Sequence, residues 1–212
     1  FSTLSFHETK NFICGEGGAL VLNDPADVGA ALVLLDKGTN RRQFLEGQVD
    51  KYTWQGAGSS FGMSDLLAAF LVAQLEASAQ ISAARHRVWT AYRDSFAPHA
   101  ERLGVALPYQ PPDAVPADHM FYVLLPSPTI RPGVIAAMRA DGIHPTFHYV
   151  PLHSAPAAAH LADRFQPCPV TDDVSSRLLR LPFYNDLSDA DVDRVVASFL
   201  HAVESTLAGA HP

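Results

Sequence analysis

Ser5-Phe6-His7-Glu8-Thr9-Lys10-Asn11, followed after a short apolar run by Gly15-Glu16-Gly17-Gly18, is the stretch on which the reading of this 212-residue chain turns. Phe12-Ile13-Cys14 and Ala19-Leu20-Val21-Leu22 flank the glycines, and Asn23-Asp24-Pro25 closes the second run, so the pattern predicts a β-hairpin with a glycine turn. Lys10 stands out because the chain otherwise uses arginine: Lys10, Lys37 and Lys51 are its only lysines, and all precede residue 52. A lysine amine held rigidly beside a strand turn and desolvated becomes partly neutral and nucleophilic, which arginine does not. The ordinary alternative for any one of the three is a solvated surface position.

On the C-terminal side, Asp24 and Pro25 predict the start of a short helix over Pro25–Asp36, with Val28, Ala31, Leu32 and Leu35 on one face. From Lys37 to Gly62 no periodicity is sustained over 26 residues, yet Phe44, Val49, Tyr52, Trp54 and Phe61 are too apolar for a solvated linker. That segment is expected to lie against its own core or against another subunit. Ser64-Asp65 caps a helical pattern carrying Leu67, Phe70, Leu71, Leu75, Ser78 and Ile81 and running to about Phe96. A helix of that length commonly bridges two domains, so residues 1–80 are expected to end one domain and 81–212 to form a second, small α/β or α+β domain. Its expected elements are a strand at Met120–Leu125, a helix at Arg131–Asp141 ended by Gly142, and a strand at Ile143–Val150. A helix at Asp172–Leu179 and a last one from Ser188 to about Ser205 complete it, with Asp191 three residues after the capping Ser188.

Composition narrows the partners. Apolar residues make up 48% and charged residues 17%, which is globular and excludes wholesale disorder. A formal charge of −7 argues against sequence-independent attraction to nucleic acid or an anionic membrane surface. No apolar run reaches the roughly 18 residues of a bilayer span, and Gln74 interrupts the longest candidate, Leu66–Leu75. Cys14 and Cys168 have no CxxC spacing, so no disulfide is expected and a reducing, cytoplasmic setting fits. The N-terminus has neither Met nor a basic region followed by an apolar stretch; no signal peptide is expected, and the chain reads as part of something longer. His144, His148 and His153 invite a metal reading. On a strand, however, His144 and His148 would stand about 13 Å apart on one face, too far to share an ion, so no metal is expected.

The Ser5–Lys10 block and Gly15-Glu16-Gly17-Gly18 resemble the cofactor-lysine segment of the DegT/DnrJ/EryC1/StrS family of sugar aminotransferases. Further blocks occur in the same order: Lys37-Gly38-Thr39-Asn40-Arg41, Gly47–Trp54, Ser59–Asp65, Phe147–His153 and Leu181-Pro182-Phe183-Tyr184-Asn185. The resemblance covers essentially the whole chain. It implies the C-terminal part of a fold-type I aminotransferase, with the end of the large domain followed by the small domain. It implies that Lys10 binds pyridoxal 5'-phosphate covalently and that Ser5 contacts its phosphate. Ser60 stands where the family commonly places an Asn that reaches the phosphate in a partner subunit, so a homodimer with shared active sites is implied. Gly62 stands where several relatives carry a basic residue near the nucleotide, which leaves Arg41, Arg42 and Lys51 as candidate cations against the alternative of solvated loop charges. His148, Tyr149 and His153 fall near the substrate sugar, or serve as partly buried hydrogen-bonding residues.

The implied reaction is transamination of a nucleotide-linked 4-keto-6-deoxy sugar of the dTDP-4-dehydro-6-deoxyglucose type, with glutamate as amino donor, for surface polysaccharide synthesis. A sugar dehydratase of the same family would carry His at position 10, and Lys10 argues against it. A reading of another class stays open: a non-catalytic binding or assembly subunit, or an inactive fragment. The family's Asp for the pyridine nitrogen and its ring-stacking aromatic have no counterpart in these residues.

Overall fold

The computed structural model describes residues 1–158, 160 and 166–209, and the chain divides into two units, Phe1–Ala79 and Gln80–Pro212.

In the first unit, β1 (Ser2–Ser5) pairs antiparallel with β2 (Gly18–Val21), from Ser2 opposite Val21 to Ser5 opposite Gly18. The hairpin is there, but its first strand lies upstream of the expected Phe12–Cys14. The chain folds back on itself between the strands: Phe6 N donates to Gly17 O and Cys14 N to Phe6 O, both at 2.8 Å. Phe6, Cys14 and Leu71 form a small core with Phe12, Met63 and Leu67 packed against it, so the run 12–14 marks burial rather than extended pairing. The Asp24 carboxylate accepts from Ala26 N (2.9 Å), and Pro25 opens a single 3-10 turn that runs into α1 (Val28–Leu35).

The segment expected to lack regular structure contains α2 (Arg41–Leu45) and two isolated bridges, Asp36 with Ser60 and Thr39 with Trp54. Its large rings are not in the unit's core: Trp54 is 79% and Phe61 66% exposed, while Phe44 sits 5.7 Å from Tyr52. Ser64 Oγ accepts from Leu67 N (3.4 Å) at the start of α3 (Asp65–Glu76). The single helix expected from Ser64 to Phe96 is instead two. Ala77 N turns toward both Ala73 O and Leu75 O, and α4 (Ser78–Leu103) begins anew and runs through Pro98. The break carries neither Gly nor Pro, which is why the periodic pattern ran through it.

In the second unit a three-stranded antiparallel sheet has the order β3 (Tyr122–Leu124), β5 (Leu178–Arg180), β4 (Thr146–Phe147). Its central strand was expected to be the end of a helix; α6 (Pro169–Arg177) stops at Arg177 and the chain extends directly into Leu178-Leu179-Arg180. Two positions are too few for periodicity to separate strand from helix. The strand expected over 143–150 shrinks to Thr146–Phe147, since Pro145 and Pro151 have no N–H for the ladder. α5 (Arg131–Ala140) packs on α7 (Asp189–Gly209), whose first turn is held by Asp191 N donating to Ser188 Oγ (3.1 Å).

The core face of the sheet presents Phe121, Val123, Leu125 and Leu179, none of them exposed, to α4 and α7. Phe121 lies 5.1 Å from Tyr92, 5.5 Å from Trp89 and 6.0 Å from Phe96, and Phe96 meets Phe199 edge-on at 5.1 Å. Tyr92 donates its buried hydroxyl to Pro182 O (2.8 Å), and burial raises its phenol above the usual value. Arg85 is buried on the same helix. It donates to Asp118 O (3.0 Å), Asn185 Oδ1 (3.1 Å) and His119 O, and lies over the Phe183 ring at 4.8 Å. Desolvation lowers its affinity for the proton, and the Asp118 charge opposes that effect.

Among the described residues no single helix is long and apolar enough to cross a membrane. Phe121→Ala is expected to cost about 3–5 kcal/mol in denaturant unfolding, whereas Val115→Ala, at an exposed side chain of the same unit, should stay within about 0.5 kcal/mol.

Candidate functional site

Lys10 sits in the loop that the hairpin carries between its strands. Lys10 N donates to His7 O (2.9 Å), and Glu8 N donates to Gly15 O (2.9 Å), which fixes the backbone on both sides of the turn. Thr9 N donates to His7 Nδ1 (3.2 Å), which leaves the ring proton on Nε2, facing Glu16 Oε1 at 3.5 Å. The Lys10 side chain is exposed and has no hydrogen bond or ion pair among the described residues. The unit therefore does not itself supply the desolvation expected for this amine; it supplies a fixed backbone and an uncommitted nitrogen. Ser5, at the end of β1, accepts from His7 N at 3.5 Å, and its hydroxyl proton has no partner among the described residues. Gly17 serves internal packing rather than ligand approach, for a Cβ there would lie 2.5 Å from Met63 Cε and 2.6 Å from Cys14 Sγ.

A second group of sequence candidates converges. Arg41, Arg42, Ser60 and Gly62 all line one cleft of about 490 Å³ beside α1 and α2, while Lys51 is exposed elsewhere in the unit. The structure adds Lys37 to this group. Lys37 Nζ lies 3.4 Å and Arg41 Nη1 3.5 Å from the two oxygens of the same Asp36 carboxylate, whereas Arg42 Nε is closely paired to Glu46 at 2.8 Å. Two cations thus share one carboxylate at loose distances next to the Ser60 hydroxyl, an arrangement with room for an oxyanion.

The backbone beneath this cleft is crossed at van der Waals limits. Lys37 (φ 59°) and Gly38 (φ 71°) both take the left-handed conformation, and Gly38 O accepts from Gln55 N (2.7 Å) and Gly56 N (3.1 Å). A Cβ on Gly38 would lie 1.9 Å from Gly56 O, and one on Gly58 2.1 Å from Gly38 N. Lys37 is a non-glycine residue held at positive φ beside a cleft; its signals in the sequence were its place among three lysines and at the head of the block Lys37–Arg41.

In the second unit His148 and Tyr149 line a cleft of about 400 Å³ with Pro151, Val174 and Leu178, the rings of the first two meeting at 5.4 Å. His153 turns to Asp172 instead, with Nε2 2.8 Å from Oδ1. Burial, and secondarily the Arg180 guanidinium, hold His148 below the ordinary histidine value. Its Nδ1 and Arg180 Nε are both buried without a hydrogen-bond partner. Arg180 was not singled out in the sequence; the available signal was one charge inside the apolar run Leu178–Leu181. Among the described residues no group of three His, Cys, Asp or Glu side chains comes together to hold a metal, and Cys14 and Cys168 are free thiols.

Gly58→Ala should destabilise the first unit by about 1–3 kcal/mol through the backbone overlap, while Gly29→Ala, in α1 with open space around it, should stabilise it by up to about 1 kcal/mol in thermal unfolding. Folded His148 binds a proton less readily than the unfolded chain. Stability should therefore fall as pH drops below about 6.5 and through the lowered folded value, and His148→Gln should flatten that slope in denaturant titrations at several pH values.

Comparison with known proteins places this arrangement. The dTDP-4-dehydro-2,3,6-trideoxy-D-glucose 4-aminotransferase of Saccharopolyspora spinosa is 28% identical over 216 residues, covering 100% of this chain and 54% of that protein. The GDP-perosamine synthase of Caulobacter vibrioides is 33% identical over 210 residues, covering 93% and 51%. The chain thus spans about half the length of the curated relatives it matches. In structure, the aminotransferase TlmJ of Streptoalloteichus hindustanus superposes with a TM-score of 0.82 over 97% of this chain and 52% of its own, at 21% identity, which shows the shared fold, a mixed α/β portion of a fold-type I aminotransferase. The family model described as the DegT/DnrJ/EryC1/StrS aminotransferase family matches residues 1–200, and the chain belongs to that family.

Proposed function

We propose that this chain is the lysine-bearing portion of a pyridoxal-phosphate-dependent sugar aminotransferase that moves an amino group from glutamate to C4 of a nucleotide-linked 4-keto-6-deoxy sugar. The observation that carries the reading is Lys10: an uncommitted primary amine on a loop fixed by hydrogen bonds, five residues after the free hydroxyl proton of Ser5. That donor set fits the cofactor's aldehyde and phosphate. The names of both curated relatives carry a nucleotide-linked sugar, one with dTDP and one with GDP. The blocks at 37–41, 47–54 and 59–65 look most like the transaminase that makes dTDP-4-amino-4,6-dideoxygalactose for surface polysaccharides, which favours dTDP-4-dehydro-6-deoxyglucose as the substrate.

When bound, pyridoxal phosphate supplies an electron sink for the pair left by a departing α-proton. Lys10 Nζ would anchor it, and as a free amine would take the proton from the donor α-carbon and deliver one at the sugar C4. Ser5 Oγ would donate to a phosphate oxygen. Ser60 donates to the phosphate of a second subunit's site, so the working form is a homodimer; the exposed Trp54 and Phe61 rings on the same segment support that reading. Arg41 and Lys37, released from Asp36, balance the nucleotide diphosphate in place of the basic residue that Gly62 lacks. His148 and Tyr149 line the cleft that takes the sugar, with His153 held beside it by Asp172.

Incubation with pyridoxal phosphate, borohydride reduction and peptide mass mapping should place a phosphopyridoxyl group on Lys10, and Lys10→Ala should lose it with an unchanged circular dichroism spectrum. Transamination by that variant should fall by at least about a thousandfold. An adduct confined to Lys37 or Lys51 would overturn the assignment.

A further inference from the structure

His7 stands at the centre of a set of local hydrogen bonds that joins Ser5 to Lys10. Its backbone N–H donates to Ser5 Oγ (3.5 Å), its carbonyl accepts from Lys10 N (2.9 Å), and its ring Nδ1 accepts from Thr9 N (3.2 Å), with Thr9 Oγ1 3.0 Å away. The carbonyl contact closes a turn over residues 7–10 with His7 in first position, where Asp, Asn and Ser are favoured because their side chains accept from the N–H two residues on. Nδ1 of histidine is attached to Cγ as Oδ1 of asparagine is, so the imidazole does here what an Asn amide oxygen does in such a turn. From the far side of the loop, Glu16 Oε1 lies 3.5 Å from Nε2, and Glu8 N donates to Gly15 O (2.9 Å).

The ring's protonation follows from its partners. Thr9 N–H can only donate, so Nδ1 keeps its lone pair and the single ring proton sits on Nε2. A second proton, on Nδ1, would point at Thr9 N–H and open the turn. Glu16, the charged group that faces the ring, favours that second proton, but its carboxylate is largely exposed and its pull is screened by solvent. The Lys10 side chain has no hydrogen bond or ion pair among the described residues, so the place of its amine relative to the Ser5 hydroxyl is set by the backbone between them. His7 is the residue that spans that backbone, with one bond to each end and a third from its ring. Two groups that must meet one small molecule at once depend on such spacing for their effect.

We infer that His7 is a positioning residue for Lys10: as a neutral imidazole accepting from Thr9 N–H, it sets the spacing between the Ser5 hydroxyl and the Lys10 amine. The inference rests on the aminotransferase reading and adds to it the group that holds the two cofactor contacts of this loop in register. It also makes that spacing sensitive to acid through the His7 ring rather than through Lys10 itself.

The test uses two amides as stand-ins for the two ring nitrogens, since the Asn side chain reaches the place of Nδ1 and the Gln side chain that of Nε2. The chain and its His7→Asn and His7→Gln variants are incubated with pyridoxal phosphate and reduced with borohydride, and the adduct at Lys10 is measured relative to those at Lys37 and Lys51. Thr9 amide exchange with solvent is followed by NMR without cofactor. His7→Asn should leave the Lys10 fraction and the Thr9 exchange rate unchanged. His7→Gln should lower the first and raise the second by about three- to tenfold, as loss of one hydrogen bond does. In the unsubstituted chain the Lys10 fraction should also fall as the ring takes its second proton, followed through its own NMR shifts, and His7→Asn should lack that step; a role in fold stability alone would not produce it. Equal Lys10 fractions in all three chains, or loss of the Lys10 adduct in His7→Asn, would overturn this inference alone. No Lys10 adduct in the unsubstituted chain would overturn the aminotransferase reading and this inference with it, so the two failures are distinguishable.

Discussion

Burial of Phe121 among Trp89, Tyr92 and Phe96 is the constraint on which the Gln80–Pro212 unit depends. A three-stranded sheet whose strands are two or three residues long has little ladder energy of its own and persists because one face is sealed by large rings from α4 and α7. Since side chains alternate along a strand, sealing Val123 and Leu179 on that face forces Tyr122, Thr146 and Arg180 onto the other. The unusual placement of a charge on the central strand is thus a consequence of core packing. The Arg85 network extends the same logic: a guanidinium buried on α4 ties Asp118, His119 and Asn185 to the helix, so the segments before β3 and after β5 are anchored to it.

The Phe1–Ala79 unit solves a different problem with less core. Only Phe6, Cys14 and Leu71 are buried together, and much of the order between residues 36 and 62 comes from backbone meeting backbone. Gly38 and Gly58 approach so closely that side chains are excluded from both, and the crossing carries Lys37 into a left-handed conformation beside Ser60. Order built this way leaves aromatic side chains such as Trp54 and Phe61 outside the unit's interior, available to another surface.

Several of the described cations fall into two kinds, and the distinction is electrostatic. Arg42, Arg87, Arg102 and Arg177 face carboxylates at close range and Arg85 donates to three acceptors, so these serve the fold or decorate its surface. Lys10, the Lys37–Arg41 pair sharing Asp36, and Arg180 are under-satisfied. Each of these groups lies within its own unit: Lys10 on the hairpin loop and the Lys37–Arg41 pair beside a cleft in the first, Arg180 on the sheet of the second.

The amino-acid sequence by itself determined the family, because that information lies in residue types at fixed local spacing: the Ser5–Lys10 block, the glycines after it, and the ordered blocks to Asn185. It also determined α1, α5 and α7, whose caps and periodicity act within a few residues of one another. Tertiary structure alone decided the rest. Whether Leu178–Arg180 continued α6 or became the central strand depended on β3 and β4 offering ladders to either side, which no window of sequence contains. The break at Ala77 has no Gly or Pro to announce it. The gathering of Lys37, Arg41 and Ser60 required a backbone crossing between glycines twenty residues apart, and the isolation of Arg180 is an absence of side-chain partners among the described residues. Such properties are sums over neighbours distant along the chain, and only the folded molecule brings those neighbours together.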